Sequence, residues 1–133
     1  MRLILLITLL VSSVFSNDIQ NYMNTLEQEV KRNNPNFEGF DFKRGELIFT
    51  SKHIGKKGKE ISCTSCHGID LTKPHKNFFT GKQIEPLSPN INNKRLRNIK
   101  DVRKWLRRNF KDVYNRVGTA QEKGDVLTFI INK

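Results

Sequence analysis

Apolar side chains recur at helical spacing in four stretches of the chain. The first stretch runs from Asp18 to Asn33 and is followed by Pro35, which predicts an amphipathic helix that ends before the proline. Its apolar positions are Ile19, Tyr22, Met23, Leu26 and Val30. A second helix is predicted from Phe42 to Thr50, where Gly45 would allow close packing against a C-terminal helix.

Two further helices are predicted in the C-terminal part of the chain. One runs from Asp101 to Tyr114 and has an apolar face and a basic face. The apolar face carries Val102, Trp105, Leu106, Phe110 and Val113, and the basic face carries Arg103, Lys104, Arg107, Arg108 and Lys111. The last helix opens at a capping box that joins Thr119 to Glu122. Because no repeat and no convincing strand pair accompany these patterns, the sequence predicts an all-α fold.

Glycine, proline and lysine mark the segments between the predicted helices. The composition of residues Ser51 to Lys59 predicts a loop. Its basic tip, at residues 56–59, is either a solvated turn or a docking patch for a partner. Asp70 to Asn93 predict a long loop, because prolines and a glycine interrupt any periodicity. Such a loop can wrap one face of a cofactor.

The first sixteen residues have the pattern of a secretory signal peptide. Arg2 supplies the positive charge, and Leu3 to Val11 form an apolar core that is too short to span a bilayer. An uncleaved membrane anchor is the alternative. We therefore predict a signal peptide at residues 1–16, an N-terminal helical extension at 17–36, a single domain at 37–133 and a periplasmic location.

The charge of the chain is strongly basic, with 24 lysines and arginines against 13 acidic residues and a formal charge of +11. A basic exported protein can meet nucleic acid, anionic lipid or an acidic protein. Of these, we favour an acidic protein partner, steered by charge, over nucleic acid. The alternative is a solvated surface that binds nothing in particular.

The candidate chemistry lies in Cys63-Thr64-Ser65-Cys66-His67, which contains the only two cysteines of the chain. This C-x-x-C-H order is the attachment pattern of a c-type haem, with thioethers at Cys63 and Cys66 and His67 as proximal iron ligand. A thioredoxin-like redox pair would need a βαβ pattern, which the sequence lacks. A zinc site would need two more ligands, and only His53 and His75 are available.

The sixth iron ligand is the open question in the sequence. The two methionines, Met1 and Met23, both precede Cys66, so a His/Met electron carrier is not expected. The remaining candidates are His53, His75, a weaker nitrogen or oxygen donor, or an open site.

Three segments after the motif resemble the sphaeroides haem protein family, which comprises small class I-like monohaem cytochromes c. These are G-K-Q-I-E-P-L-S-P at 81–89, W-L-R-R-N at 105–109 and T-A-Q-E-K-G-D-V at 119–126. They keep their order and spacing, and the resemblance covers about Phe37 to Ile131. It implies a class I cytochrome c-like fold wrapped around one covalent haem c.

The resemblance also implies that Asn109 is the distal ligand. In the family, an asparagine in the tryptophan-containing helix is held in the ferric state and released on reduction, so that ferrous iron binds oxygen or nitric oxide. The implied electron donor is a dihaem cytochrome c or a membrane cytochrome b. One departure concerns a family disulfide, whose positions are Phe110 and Gly118 here, so we expect a looser loop around Asn109.

Three functional hypotheses follow. The first is an electron-transfer protein that binds a diatomic ligand reversibly, with His67 and Asn109 as ligands. The second is a plain electron carrier with His75 as a fixed ligand, and the third is a haem reductase of a small substrate. The third lacks a distal acid/base constellation beyond a spare histidine or two. Trp105 is expected in the core or against the haem, and one neighbouring arginine is expected to bind a haem propionate.

Overall fold

A computed structural model describes residues 17–133, so the predicted signal peptide lies outside the described residues. Five α-helices make up about half of this part: α1 (Asn17–Asn33), α2 (Phe42–Thr50), α3 (Thr64–His67), α4 (Ile99–Tyr114) and α5 (Ala120–Ile131). The four long helices, α1, α2, α4 and α5, confirm the four helices predicted from the sequence. Helix α4 starts two residues earlier than expected, because the Asn98 side chain accepts the Asp101 N–H at 3.2 Å and caps it.

Two short antiparallel strand pairs are present, and the expectation of no strand pairing was wrong in this detail. Strands β1 (His53–Ile54) and β2 (Glu60–Ile61) form the first hairpin, with a 3₁₀ turn at Lys56–Gly58. Strands β3 (His75–Lys76) and β4 (Gln83–Ile84) form the second. Strands of two residues are too short to produce an alternating pattern, so periodicity could not reveal them. The fold class remains all-α.

The core has two apolar clusters that share α4 and α5. In the first, α1 contributes Ile19, Tyr22, Leu26 and Val30, which pack with Val102 and Leu127. In the second, Phe49 of α2 packs with Phe110 of α4 and with Phe129 and Ile130 of α5. Burying each such side chain contributes about 1.5–3 kcal/mol, so these stripes hold the helices together.

Helices α2 and α5 cross at Gly45, as the sequence predicted. A Cβ at this position would overlap the backbone carbonyl of Asp125 and would lie 2.9 Å from the Cβ of Phe129. Hydrogen bonds to Asp125, whose side chain is buried, also stabilise the crossing. Its carboxylate accepts the Asp41 N–H at 2.7 Å and two N–H groups of Arg44 at 2.9 and 3.0 Å. A buried carboxylate with three charge-assisted bonds fixes the angle between α2 and α5.

The last turn of α4 rests on the first hairpin. A Cβ on Gly55 would overlap the carbonyl oxygen of Asp112, so only glycine permits this approach. Lys56 pairs with Asp112 at 3.3 Å, and Asn115, which ends the helix in the left-handed conformation, donates to the Ile54 carbonyl at 2.8 Å. These contacts fix α4 relative to the segment that leads into Cys63. Among residues 17–133, no helix is long and apolar enough to cross a membrane.

Candidate haem site

The C-x-x-C-H motif forms the single turn of α3. The His67 N–H donates to the Cys63 carbonyl at 3.0 Å, which places the two cysteines on one face three residues apart. Ser62 is buried and its N–H donates to Ser65 Oγ at 3.0 Å, which fixes the start of the turn. Gly68 ends the turn at φ +73°, a conformation that suits glycine.

The Cys63 thiol lies in an apolar setting. It packs in the second core cluster, whose partly buried members include Leu87, Leu96, Leu106 and Tyr114. Burial, and after it the neighbouring Cys66 thiol, raises the pKa of the free Cys63 thiol to about 12. Thioredoxin-like pairs need a lowered thiol pKa, so this setting is contrary to the alternative of a dithiol redox pair.

The His67 imidazole is enclosed beside Phe49, with the two ring centroids 6.0 Å apart. Burial, followed by the charges of Arg95 and His75, lowers its pKa to about 4 and keeps the ring neutral, as an iron ligand requires. Its Nδ1 atom is buried and has no hydrogen-bond partner among the described residues. The ring is therefore held in place by packing instead of by a polar contact with the protein.

Asn109 and Trp105 lie one turn apart on α4 and share a helix face. Asn109 is half-buried, next to the apolar face that carries Leu106 and Val113. Trp105 is 49% exposed, so its predicted place in the protein core was wrong. Its indole instead lies under the cations of Lys104 at 5.2 Å and Arg108 at 5.5 Å. Packing of Trp105 against a haem stays a prediction, as does an arginine bound to a propionate.

Phe110 and Gly118, the positions of the family disulfide, are in contact. A Cβ on Gly118 would lie 2.8 Å from the Phe110 ring, and both residues are buried. Packing thus joins the end of α4 to the segment before α5. The expectation of a looser loop stays a prediction, although the Phe110 ring still contacts Gly118.

His75, the alternative iron ligand, is exposed on β3. Its ring lies over Gly68, the residue directly after His67, where a Cβ would come within 3.0 Å of His75 Cδ2. Its Nδ1 is 3.3 Å from the Lys76 carbonyl oxygen. His75 therefore packs on the motif itself.

His53, the other histidine, packs against α4. Its ring lies 4.2 Å from the Tyr114 ring, and its Nε2 is buried without a partner among the described residues. The Tyr114 hydroxyl donates to the Ile48 carbonyl at 2.7 Å. Burial, and then the Cys63 thiol, raises the pKa of Tyr114 to about 12, so the phenol remains a hydrogen-bond donor.

Sequence reasoning missed three residues near the motif. The Phe78 N–H donates to Cys66 Sγ at 3.3 Å, and Phe79 stacks edge-on against Phe78 with centroids 5.2 Å apart. Arg95 donates to the carbonyls of Pro86 and Glu85 at 3.0 and 2.8 Å, which fixes the loop before α4. For Phe78 and Phe79, the signal in the sequence was the occurrence of two adjacent phenylalanines inside a polar loop.

These features fit a haem c. Two sulfurs on one helical turn, a neutral buried imidazole and apolar side chains from α2, α4 and the 85–96 loop supply the donors and the surroundings that the group needs. The described residues contain no cluster of three or more histidine, cysteine or acidic side chains that could hold a bare metal ion.

Comparison with known proteins agrees with this chemistry. A family model described as "Domain of unknown function (DUF1924)" matches residues 35–130. Cytochrome c-type protein SHP of Cereibacter sphaeroides is 40% identical over 90 residues, which are 68% of this chain and 69% of that protein. Cytochrome c'' of Methylophilus methylotrophus is 30% identical over 100 residues, 75% of this chain and 69% of that protein. The chain belongs to the SHP and cytochrome c'' family.

Solved structures of this family have the same fold. Oxidised SHP, described as an oxygen-binding cytochrome c, superposes with a TM-score of 0.75 at 32% identity over 86% of this chain and 96% of its own. Oxidised cytochrome c'' superposes with a TM-score of 0.77 at 26% identity over 87% and 94% of the two chains. Membership in this SHP and cytochrome c'' family implies a haem c cofactor and the general chemistry of a c-type cytochrome.

Proposed function

We propose that this protein is an exported monohaem cytochrome c that transfers electrons and binds a diatomic ligand, oxygen or nitric oxide, in its reduced state. Cys63 and Cys66 would hold one haem through thioethers, with His67 as proximal ligand and Asn109 as distal ligand. The haem, when bound, supplies a one-electron iron couple and an exchangeable coordination position. Asn109 would occupy that position in the ferric protein and would release it on reduction.

The observation that carries this proposal is the different placement of Asn109 and His75. The His75 ring packs on Gly68, the residue directly after His67, so His75 would have to leave this contact with the motif to serve as a second iron ligand. Asn109 is half-buried on α4, which the first hairpin fixes relative to the motif. An amide oxygen is a weak iron ligand, and weak ligation is what an exchangeable site requires.

The relatives support the same chemistry. SHP is described as an oxygen-binding cytochrome c. The solution structure of cytochrome c'', with a TM-score of 0.76 at 26% identity over 87% of this chain and 94% of its own, is described as giving insight into haem-ligand detachment.

A redox protein, either a dihaem cytochrome c or a membrane cytochrome b, supplies the electron. The surplus of basic residues in the sequence suits an acidic partner of this kind.

The test is the absorption spectrum of the dithionite-reduced holoprotein before and after carbon monoxide is added. We expect a high-spin ferrous spectrum that changes at once with the gas, and a change of the ferric spectrum in Asn109→Ala. His75→Ala is the matched control and should leave both spectra as in the wild type. A low-spin ferrous spectrum that ignores carbon monoxide, and that is lost in His75→Ala, would replace the proposal with a fixed bis-histidine electron carrier.

Export is tested separately. N-terminal sequencing of the protein from a periplasmic extract should begin at Asn17, the residue after the predicted cleavage site. Recovery of an intact N-terminus in the membrane fraction would instead support the uncleaved anchor.

A further inference from the structure

Two phenylalanines stand in a polar, exposed segment between β3 and β4. Phe78 is 50% exposed, and its ring packs edge-on against the ring of Phe79. Aromatic side chains, phenylalanine included, are enriched in the buried centres of protein–protein interfaces. The pair is therefore a candidate contact surface.

Two lysines of the first hairpin lie over the Phe79 ring of this pair. The ammonium of Lys56 lies 5.3 Å and that of Lys57 lies 5.9 Å from the centre of the Phe79 ring. Lys56 also pairs with Asp112, whereas Lys57 forms no ion pair with any residue of the described chain. These cation–π contacts join the two hairpins into one surface.

The field around this surface is positive. Residues 51–61 and 70–85, which contain the two hairpins, carry seven lysines and three carboxylates, Glu60, Asp70 and Glu85. A protein that approaches here meets an apolar centre with a basic surround. Such a surface is complementary to an acidic rim around an apolar patch.

The surface also adjoins the candidate haem site. The Phe78 N–H bonds to Cys66 Sγ at 3.3 Å, so Phe78 lies next to one of the two sulfurs proposed to carry the haem. A partner that covers Phe78 thus comes close to Cys66, and if Cys66 carries the haem this closeness would shorten the path of an electron. An anionic lipid surface would use the same lysines but would gain nothing from this proximity.

We propose that Lys56, Lys57, Phe78 and Phe79 form the docking surface for an acidic redox protein. We call it the basic aromatic surface. This inference rests on the electron-transfer part of the proposed function and is independent of the identity of the distal ligand. In the encounter, one electron leaves the cofactor of the partner and converts the ferric protein to the ferrous protein.

The experiment uses reduced flavodoxin, a small acidic electron-transfer protein, as the probe in stopped-flow reduction of the ferric holoprotein. Flavodoxin hydroquinone gives one electron and becomes the semiquinone. At low ionic strength we expect Lys57→Glu to lower the second-order rate constant about fivefold, because steering by charge is lost. At about 0.5 M salt, where charges are screened beyond a few ångströms, the variant should react within about twofold of the wild type.

Lys100→Glu is the matched control, because it makes the same change of charge at the other end of α4. Lys100 is exposed and lies twelve residues from Asp112, about 18 Å along the helix axis. This control should change the rate constant by less than about twofold. Equal losses in the two variants would overturn the proposal, since net charge alone would then explain the effect.

Two further measurements distinguish a docking role of Phe78 from a role inside the haem pocket. In Phe78→Ala, the rate with flavodoxin should fall while the haem spectrum and the rate with dithionite stay unchanged. A shifted spectrum with both rates altered alike would mean that Phe78 only lines the haem pocket. In addition, titration with oxidised flavodoxin should shift the backbone amide NMR signals of Lys57 and Phe78.

The lipid alternative has its own outcome. If Lys57→Glu abolishes sedimentation with vesicles of phosphatidylcholine and phosphatidylserine but leaves the flavodoxin rate unchanged, the surface binds membranes and the proposal is wrong. The carbon monoxide spectrum of the wild type is recorded on the same sample. A failure of gas binding would therefore be seen independently of a failure of docking.

Discussion

Gly45→Ala tests the helix crossing that supports the haem site. An alanine in the middle of a helix normally stabilises a protein by about 1 kcal/mol relative to glycine. Here the added Cβ would lie 2.6 Å from the Asp125 carbonyl carbon and 2.9 Å from the Phe129 Cβ, whereas ordinary contact begins at 3.4 Å. Both obstacles belong to the α5 backbone or lie next to it, so no side-chain rotation relieves them.

The magnitude follows from this overlap. To reach ordinary contact, α2 and α5 must separate by about 1 Å, and a gap of that size forfeits a quarter to a half of each dispersion contact across the interface. Overpacking of this kind costs about 1–3 kcal/mol, and the backbone obstacle places Gly45→Ala at the upper end. After the helix-propensity gain is subtracted, we expect a net loss of about 2 kcal/mol, or about 8 °C in Tm.

The assay is equilibrium urea unfolding of the holoprotein, followed by circular dichroism at 222 nm. Lys43→Ala is the control on the same helix, because the Lys43 side chain is 82% exposed and makes only a 3.5 Å ion pair with Glu46 and a cation–π contact with Phe42 at 5.8 Å. It should change the free energy of unfolding by less than about 0.5 kcal/mol. If Gly45→Ala is as stable as the wild type or more stable, the close crossing of α2 and α5 does not exist in solution.

Three further predictions concern the site and its surroundings. Gly118→Ala should lower the free energy of unfolding by about 1–2 kcal/mol in urea titrations, because its Cβ would lie 2.8 Å from the Phe110 ring. Asn109→His should prevent or slow carbon monoxide binding to the ferrous protein at least about tenfold in flash photolysis, because imidazole is a stronger iron ligand than an amide. The hydrogen bonds from Arg116 are the main cause that lowers the pKa of Glu122 below its ordinary 4.5. Their stabilisation is therefore present above pH 4.5 and lost as the pH falls through the folded-state pKa, so Glu122→Gln should flatten the acid side of a pH–stability curve measured by urea unfolding.

The long helices could be predicted because the signals that define them are local. Helix α2 has the predicted bounds, and α5 opens at the predicted capping box of Thr119 and Glu122. The close packing of Gly45 was also anticipated, because a glycine inside a helix has few other uses. For the bounds of α2 and the cap of α5 the deciding residues are neighbours in the sequence, whereas the partners of Gly45, Asp125 and Phe129, are distant and could be located only in the structure.

The hairpins could not be predicted, because distant residues decide them. Glycine is needed at position 55 because a Cβ there would overlap the carbonyl oxygen of Asp112. The Ile54 carbonyl accepts a hydrogen bond from Asn115. Both partners are more than fifty residues away in the sequence. Trp105 shows a related difficulty. Helical periodicity marks it as apolar-facing, but periodicity cannot distinguish a position that packs against protein from one that does not.

The candidate site also contains residues that a local signal reveals and residues that it does not. Cys63, Cys66 and His67 are recognisable because haem attachment requires them at fixed spacing on one turn. Asn109 carries no such local signal, and only the resemblance to a family singled it out. Its relation to His67 depends on how α4 is seated, which is a property of the tertiary structure.

The first hairpin connects the parts of this proposed mechanism. Its strand β2 ends two residues before Cys63, and its tip holds the last turn of α4, the helix that carries Asn109. The same tip supplies Lys56 and Lys57 to the basic aromatic surface. A redox partner that docks there would contact the segment that sets the distance between the motif and α4. Electron entry at the proposed surface and the position of the proposed distal ligand would therefore both depend on one short stretch of backbone.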